Sequence, residues 1–150
     1  MRDMISNVQV IRGAVQTLSG VTPNNSALID RRGFDALTVY LETGTVTDAG
    51  TADGFTMKLQ HSDTTDASDF VDVPTAGLLA NSDGGTTVAV TVDATNGVIA
   101  GGVGYVGGKR YVRAVVTGTT GTNATVQALA ALGKPHRAPV ATVGATTAAT

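Results

Sequence analysis

Apolar and polar residues alternate in short runs along most of this chain, the period of two that sends successive side chains to opposite faces of a strand. The clearest run is Ala36 to Glu42, with Leu37, Val39 and Leu41 on one face and Thr38, Tyr40 and Glu42 on the other. One side buried and the other wet is the pattern of an antiparallel sheet strand. Phe55 to Ser62 repeats it with Phe55, Met57 and Leu59 inward, and Thr86 to Val92 with Val88, Val90 and Val92 inward. Looser alternation predicts strands over Val8 to Val15 and Ser26 to Asp30, and a short one over Phe70 to Val73. Thr22 to Asn25, Asp30 to Gly33 and Gly84-Gly85 read as turns or breaks.

Two of the three tyrosines and a second β-branched run lie between Gly104 and Thr117. Gly107-Gly108 is expected to close a two-residue hairpin there, with positive φ at both glycines. Beyond it Arg110, Val112, Ala114 and Val116 share one face, and Tyr111, Arg113, Val115 and Thr117 the other. Asn96-Gly97 is a second hairpin signal. Residues 43–54, rich in Thr, Gly and Asp, read as an exposed loop, residues 63–69 as a polar connection, and Ala76 to Ala80 as a helical turn. Ala124 to Leu132 fits either a helix or a closing strand: its alanines favour the first, Thr125-Val126 and the turn spacing the second.

Short strands at this spacing, without a long amphipathic helix, predict an all-β sandwich. Pattern alone leaves jelly roll and immunoglobulin-like topologies open. The expected organisation is an N-terminal arm over 1–7, a β-sandwich over 8–133 and an extended C-terminal arm over 134–150, where prolines and small residues supply no core.

At 150 residues the chain can bury a core without staples, and it contains no cysteine, which excludes disulfides and thiol chemistry. The start has no apolar signal region, and no apolar run suits a membrane span. The net charge of −2 conceals segregation: +2 over residues 1–32, −9 over 33–93 and +5 over 94–150. Such a chain is suited to docking head to tail with copies of itself or to laying one face on an acidic partner. Five dispersed cations make a thin phosphate footprint, so a nucleic-acid partner is not expected.

Motifs for chemistry are weak. Gly102-x-Gly104-x-x-Gly107 matches a dinucleotide fingerprint, but a strand follows it and no acidic residue occurs after Asp93. His61 and His136 form no constellation, and no serine stands in a nucleophile elbow. Asp63, Asp66, Asp69 and Asp72 recur every third residue and invite a calcium reading, yet the glycine and closing glutamate of an EF-hand are missing, so a solvated turn is the preferred reading. Neither an enzyme nor a cofactor is expected. What remains is partner contact, for which Arg31, Arg32, Tyr105, Lys109, Arg110, Tyr111 and Arg113 are the candidates, with Lys134, His136 and Arg137 in the tail. Arginine and tyrosine combine apolar area with polar tips.

At these residues the chain resembles the small capsid decoration, or cement, proteins of tailed bacteriophages. The likeness lies in Asp30-Arg31-Arg32-Gly33-Phe34-Asp35-Ala36-Leu37, in Leu59-Gln60-His61-Ser62-Asp63 with Phe70-Val71-Asp72-Val73, in Gly104 to Arg113, and in Leu132-Gly133-Lys134-Pro135. Thr64-Thr65-Asp66-Ala67-Ser68 departs from the tight Asp-Gly turn of such proteins. The resemblance implies a jelly-roll sandwich made in the bacterial cytoplasm and seated on the exterior of an icosahedral virion. There it would bridge major capsid protein subunits, as a dimer or trimer. A tail, fibre or glycan-binding module is the alternative.

Overall fold

The computed structural model describes residues 4–51, 54–80, 84–94 and 98–140, with the side chain of Val98 left aside. The expected Asn96-Gly97 hairpin and the outer parts of both arms lie outside these residues. Among the described residues twelve strands form: β1 Val8–Arg12, β2 Gln16–Ser19, β3 Asn24–Asn25, β4 Ile29–Asp30, β5 Phe34–Asp48, β6 Phe55–Ser62, β7 Val71–Asp72, β8 Leu78–Leu79, β9 Val88–Val90, β10 Val98–Tyr105, β11 Tyr111–Thr117 and β12 Asn123–Pro135.

They pair into two antiparallel sheets. One runs β1-β12-β5-β10-β8 with β2 also on β12; the other runs β3-β11-β6-β7 with β4 on β11 and β9 on β6. Taking β1 with β2, β3 with β4, and β7 with β9 as single interrupted strands, and setting aside the two-residue β8 at the edge beside β10, leaves eight. The first then pairs with the eighth, the second with the seventh, the third with the sixth and the fourth with the fifth. That nesting, wrapped into two facing sheets, is a jelly roll. The protein is an all-β sandwich.

Alternation places the core where the sequence predicts it. Leu37, Val39 and Leu41 of β5, Phe55, Met57 and Leu59 of β6, and Val112, Ala114 and Val116 of β11 are buried between the sheets with Val103, Tyr105, Val126 and Leu132. Each large apolar side chain buried this fully stabilises the fold by about 1.5–3 kcal/mol relative to exposure. The undecided segment Ala124 to Leu132 is strand: β12 pairs on one side with β5 and on the other with β1 and β2, so both its edges satisfy backbone groups that a helix would have kept to itself.

Three expectations fail. Residues 43–48 are the second half of β5, with Thr43 and Val46 buried against β12 and the Ala94 bridge. Their small polar residues follow a strand because it has a partner, not because they are apolar. Val92 points outward and is 68% exposed, since β9 ends at Val90. Gly107-Gly108 is not a hairpin turn: β10 and β11 lie in different sheets, and neither glycine takes a positive φ. The pair crosses from sheet to sheet, and Gly107 is glycine for a steric reason, because a Cβ there would sit 2.5 Å from the Tyr105 hydroxyl oxygen.

Two smaller segments also differ. Asn24–Asn25 pairs with β11, and the turn near Ala76 is a single 3₁₀ turn at Thr75–Gly77 leading into β8. At the C-terminal end β12 continues to Pro135, past the expected arm boundary. The following residues then fold back, with His136 N–H donating to Gly33 O at 2.8 Å and Val140 N–H to Ser6 O at 3.1 Å.

Candidate partner interface

The predicted contact residues gather at the end of the sandwich where β5 begins, around the turn at Asp30 to Phe34. The turn closes through Phe34 N–H to Arg31 O at 3.0 Å, and Gly33 supplies the required left-handed φ of 91°. Asp30 caps it by accepting from Arg32 N–H at 3.0 Å. This fixes Arg31 and Arg32 on opposite duties.

Arg31 turns inward. Its guanidinium donates to Gly107 O and, at 3.3 Å, to Lys109 O, while lying over the Tyr105 ring with its carbon 5.1 Å from the centroid. Tyr105 is 2% exposed, and its hydroxyl oxygen accepts from Lys109 N–H at 3.0 Å and lies 2.9 Å from His61 Nδ1. A neutral imidazole with its proton on Nε2 accepts at Nδ1 the hydrogen bond that the Tyr105 hydroxyl donates. Burial, with the Lys109 charge behind it, holds the His61 pKa below its ordinary value and favours that neutral form.

The remaining predicted cations of this group are also engaged. Lys109 pairs with Asp63. Arg110 forms a two-pronged bond to Asp30, Nε to Oδ1 at 3.0 Å and Nη2 to Oδ2 at 2.6 Å, and stacks on Tyr111 at 4.7 Å. Asp30 is held below the usual carboxylate range, first by that Arg110 bond. Asp63 is held down by Lys109. Arg113, farther along β11, donates from Nε and Nη2 to Gln60 Oε1 at 2.9 and 2.7 Å and covers Phe70 at 4.3 Å.

The periodic aspartates are structural. Asp66 caps the 3₁₀ turn Ala67–Asp69 through Ser68 N–H at 2.9 Å, Asp69 accepts from Thr64 Oγ1 at 2.5 Å, and Asp72 binds Lys58 and Gln60 at 2.6 and 2.7 Å. Among the described residues, no group of three or more His, Cys, Asp or Glu is placed to hold a metal ion.

A second group remains open to a partner. Arg32 and Arg137 line a groove of about 690 Å³ with Phe34, Pro135, Pro139 and Val140. Neither guanidinium forms a hydrogen bond or ion pair among the described residues. His136 is tied to Asp35 at 2.8 Å beside this groove, and Lys134 stands between with a φ of 50° at the end of β12. The structure therefore divides the ten predicted residues. Arg31, Tyr105, Lys109, Arg110, Tyr111, Arg113 and His136 are spent largely on intramolecular contacts, whereas the side chains of Arg32, Lys134 and Arg137 form no hydrogen bond or ion pair among the described residues.

Sequence reasoning did not find Asp30, His61, Asp63 or Gln60 as members of the network. Each lies between about 44 and 80 residues from its partner, with no local spacing that signals the contact.

No protein-family model matches the sequence. No curated protein matches it either. Among solved structures the chain is similar to the SPBc2 prophage-derived protein YomS, at 15% identity over 83% of this chain and 95% of that one, with a TM-score of 0.45. It is also similar to a protein of the disulfide-linked pili that form Bacillus endospore appendages, at 9% identity over 87% of this chain and 93% of that one, with a TM-score of 0.43. The strand pairing itself, rather than either likeness, defines the fold. Chemically, the site can bind: it offers an anchored turn, a rigid aromatic and basic network beneath it, and an apolar groove with two unpaired guanidinium groups at its rim.

Proposed function

We propose that this protein is a structural component of a phage virion that binds the outer surface of the icosahedral capsid and stabilises the lattice by bridging major capsid protein subunits. One observation carries the reading. The four stretches that resemble capsid decoration proteins, dispersed between residues 30 and 135, come together at one end of the sandwich. Arg31 reaches Gly107, Arg110 reaches Asp30, His61 and Asp63 reach Tyr105 and Lys109, and Pro135 pairs with Phe34. A likeness spread over unrelated surfaces would be packing coincidence; one that assembles a single end fits a shared docking surface.

The physics of this end suits a clamp. A docking face already held by internal ion pairs and a buried tyrosine loses little side-chain freedom on binding, so more of the contact energy appears as affinity. The test is the ratio of this chain to the major capsid protein in purified particles, by quantitative mass spectrometry. A ratio near one, or a simple fraction of one, supports the reading. A handful of copies moves the protein to a tail or fibre, and absence from particles overturns a virion role.

A further inference from the structure

The two ends of the sandwich are complementary in charge, and each carries exposed apolar surface. β5 and β12 run side by side through its full length, with Phe34 paired to Pro135 at one end and Asp48 to Asn123 at the other. At the usual rise of a strand these ends lie about 45 Å apart. The Phe34 end carries the apolar groove lined by Arg32 and Arg137, whose side chains pair with nothing among the described residues. The acids that flank the turn, Asp30 and Asp35, are bonded to Arg110 and His136, and Asp30 also feels the Arg32 charge.

The Asp48 end carries the opposite arrangement. Asp48 Oδ1 accepts from Gly50 N–H at 2.7 Å and Asp93 Oδ1 from Ala49 N–H at 3.0 Å, which holds two exposed carboxylates at one corner. No cation pairs with either among the described residues. Beside them stands Val92, 68% exposed. A lone surface valine is ordinary. This one adjoins Asp93 in the chain, so the corner offers apolar surface with negative charge, the counterpart of an apolar groove lined by Arg32 and Arg137.

We infer that copies of this chain associate head to tail, Val92 of one copy entering the groove of Phe34, Pro135, Pro139 and Val140 on the next, with Asp48 and Asp93 against Arg32 and Arg137. A contact between different surfaces closes into a ring or runs on as a filament, according to the rotation it imposes. The inference does not rest on the capsid reading and holds for the free protein.

Sedimentation velocity over a wide concentration range, at low and high salt, tests it. The expected result is concentration-dependent association that weakens with salt, because exposed charges are screened beyond about 8 Å at physiological ionic strength. R32E/R137E reverses the groove without removing any internal bond and should weaken association more than about tenfold, since opposed like charges are strongly unfavourable. D48K/D93K reverses the corner and should do the same, while an equimolar mixture of the two variants regains association through the swapped charges. Should loss of the two turn bonds unfold the corner, as circular dichroism would show, V92K replaces that variant and must weaken association alone. A monomer at every concentration, association untouched by R32E/R137E, or two folded charge-reversed variants that fail to associate when mixed would each overturn the inference. None of these results alters the copy number in particles, so the two proposals fail separately.

Discussion

The Arg31 guanidinium lies over the buried ring of Tyr105, 5.1 Å from its centroid, and bonds the carbonyl of Gly107 where the chain crosses between sheets. The pair ties the turn before β5 to the end of β10. Removing either member should therefore loosen the same end of the sandwich. Tyr105→Phe deprives a backbone N–H and His61 of their partner and is expected to cost about 1–3 kcal/mol in urea unfolding. Arg31→Ala should also lower the melting temperature, whereas Arg32→Ala, whose side chain bonds nothing within the described residues, should leave it unchanged.

Gly107→Ala should destabilise the protein by about 1–3 kcal/mol, because the added methyl collides with a tyrosine that is itself packed on every side. Its Cβ would lie 2.5 Å from the Tyr105 oxygen. Gly108→Ala, where a Cβ meets nothing within 4 Å, should be close to neutral. Thermal melts of the two variants separate this steric requirement from a turn requirement, which would penalise both.

Stability should fall in two stages on acidification. His61 has a folded pKa below its ordinary 6.5, chiefly through burial, so the unfolded chain takes up the proton first. Its contribution is complete above pH 6.5 and declines as pH falls below that value. Asp30, lowered from 3.8 mainly by Arg110, contributes fully above that pH and loses its contribution as pH falls through the folded value. Urea midpoints followed from neutral to acid pH should show both stages, and His61→Gln should abolish the upper one alone.

Phe55→Ala should cost about 3–5 kcal/mol, since a fully buried aromatic leaves a cavity between the sheets. Phe55 is 0% exposed. Val92→Ala, at a position read from alternation as equally internal, should fall within about 0.5 kcal/mol of wild type. Equilibrium unfolding of both variants checks the outward turn of the chain after β9.

The residues after β12 should be protected in the free protein wherever they fold back. His136 donates to Gly33 O and Val140 to Ser6 O. Hydrogen exchange should find the amides of His136 and Val140 slower than that of Arg137, and rates for all three equal to those of an unstructured peptide would contradict this packing.

How far the chain could be read in advance follows from which information is local. β5, β6 and β11 were legible because a strand with one buried face must alternate, and Leu37, Phe55 and Val112 announce that face without reference to any partner. The members of the site were half legible. Arg31 and Arg110 are residue types that make contacts, but type says nothing of whether a contact is internal or left for a partner. That depends on Asp30 and Gly107, which are placed by other strands.

The amino-acid sequence by itself determined that this is an all-β chain with a sandwich core, charges separated along its length, and no cysteine chemistry. These are consequences of side-chain period and composition, both written residue by residue. Only the tertiary structure decided that Gly107-Gly108 joins two sheets instead of closing a hairpin, that residues 43–48 extend β5, and that Val92 faces out. It also separated the bonded cations from Arg32 and Arg137, whose side chains bond nothing among the described residues. The physical reason is common to all of these. A strand's partner, a turn's sheet and a charge's counter-ion come from residues far away in the chain, and pairing satisfies the backbone and the buried polar groups wherever the topology brings them together.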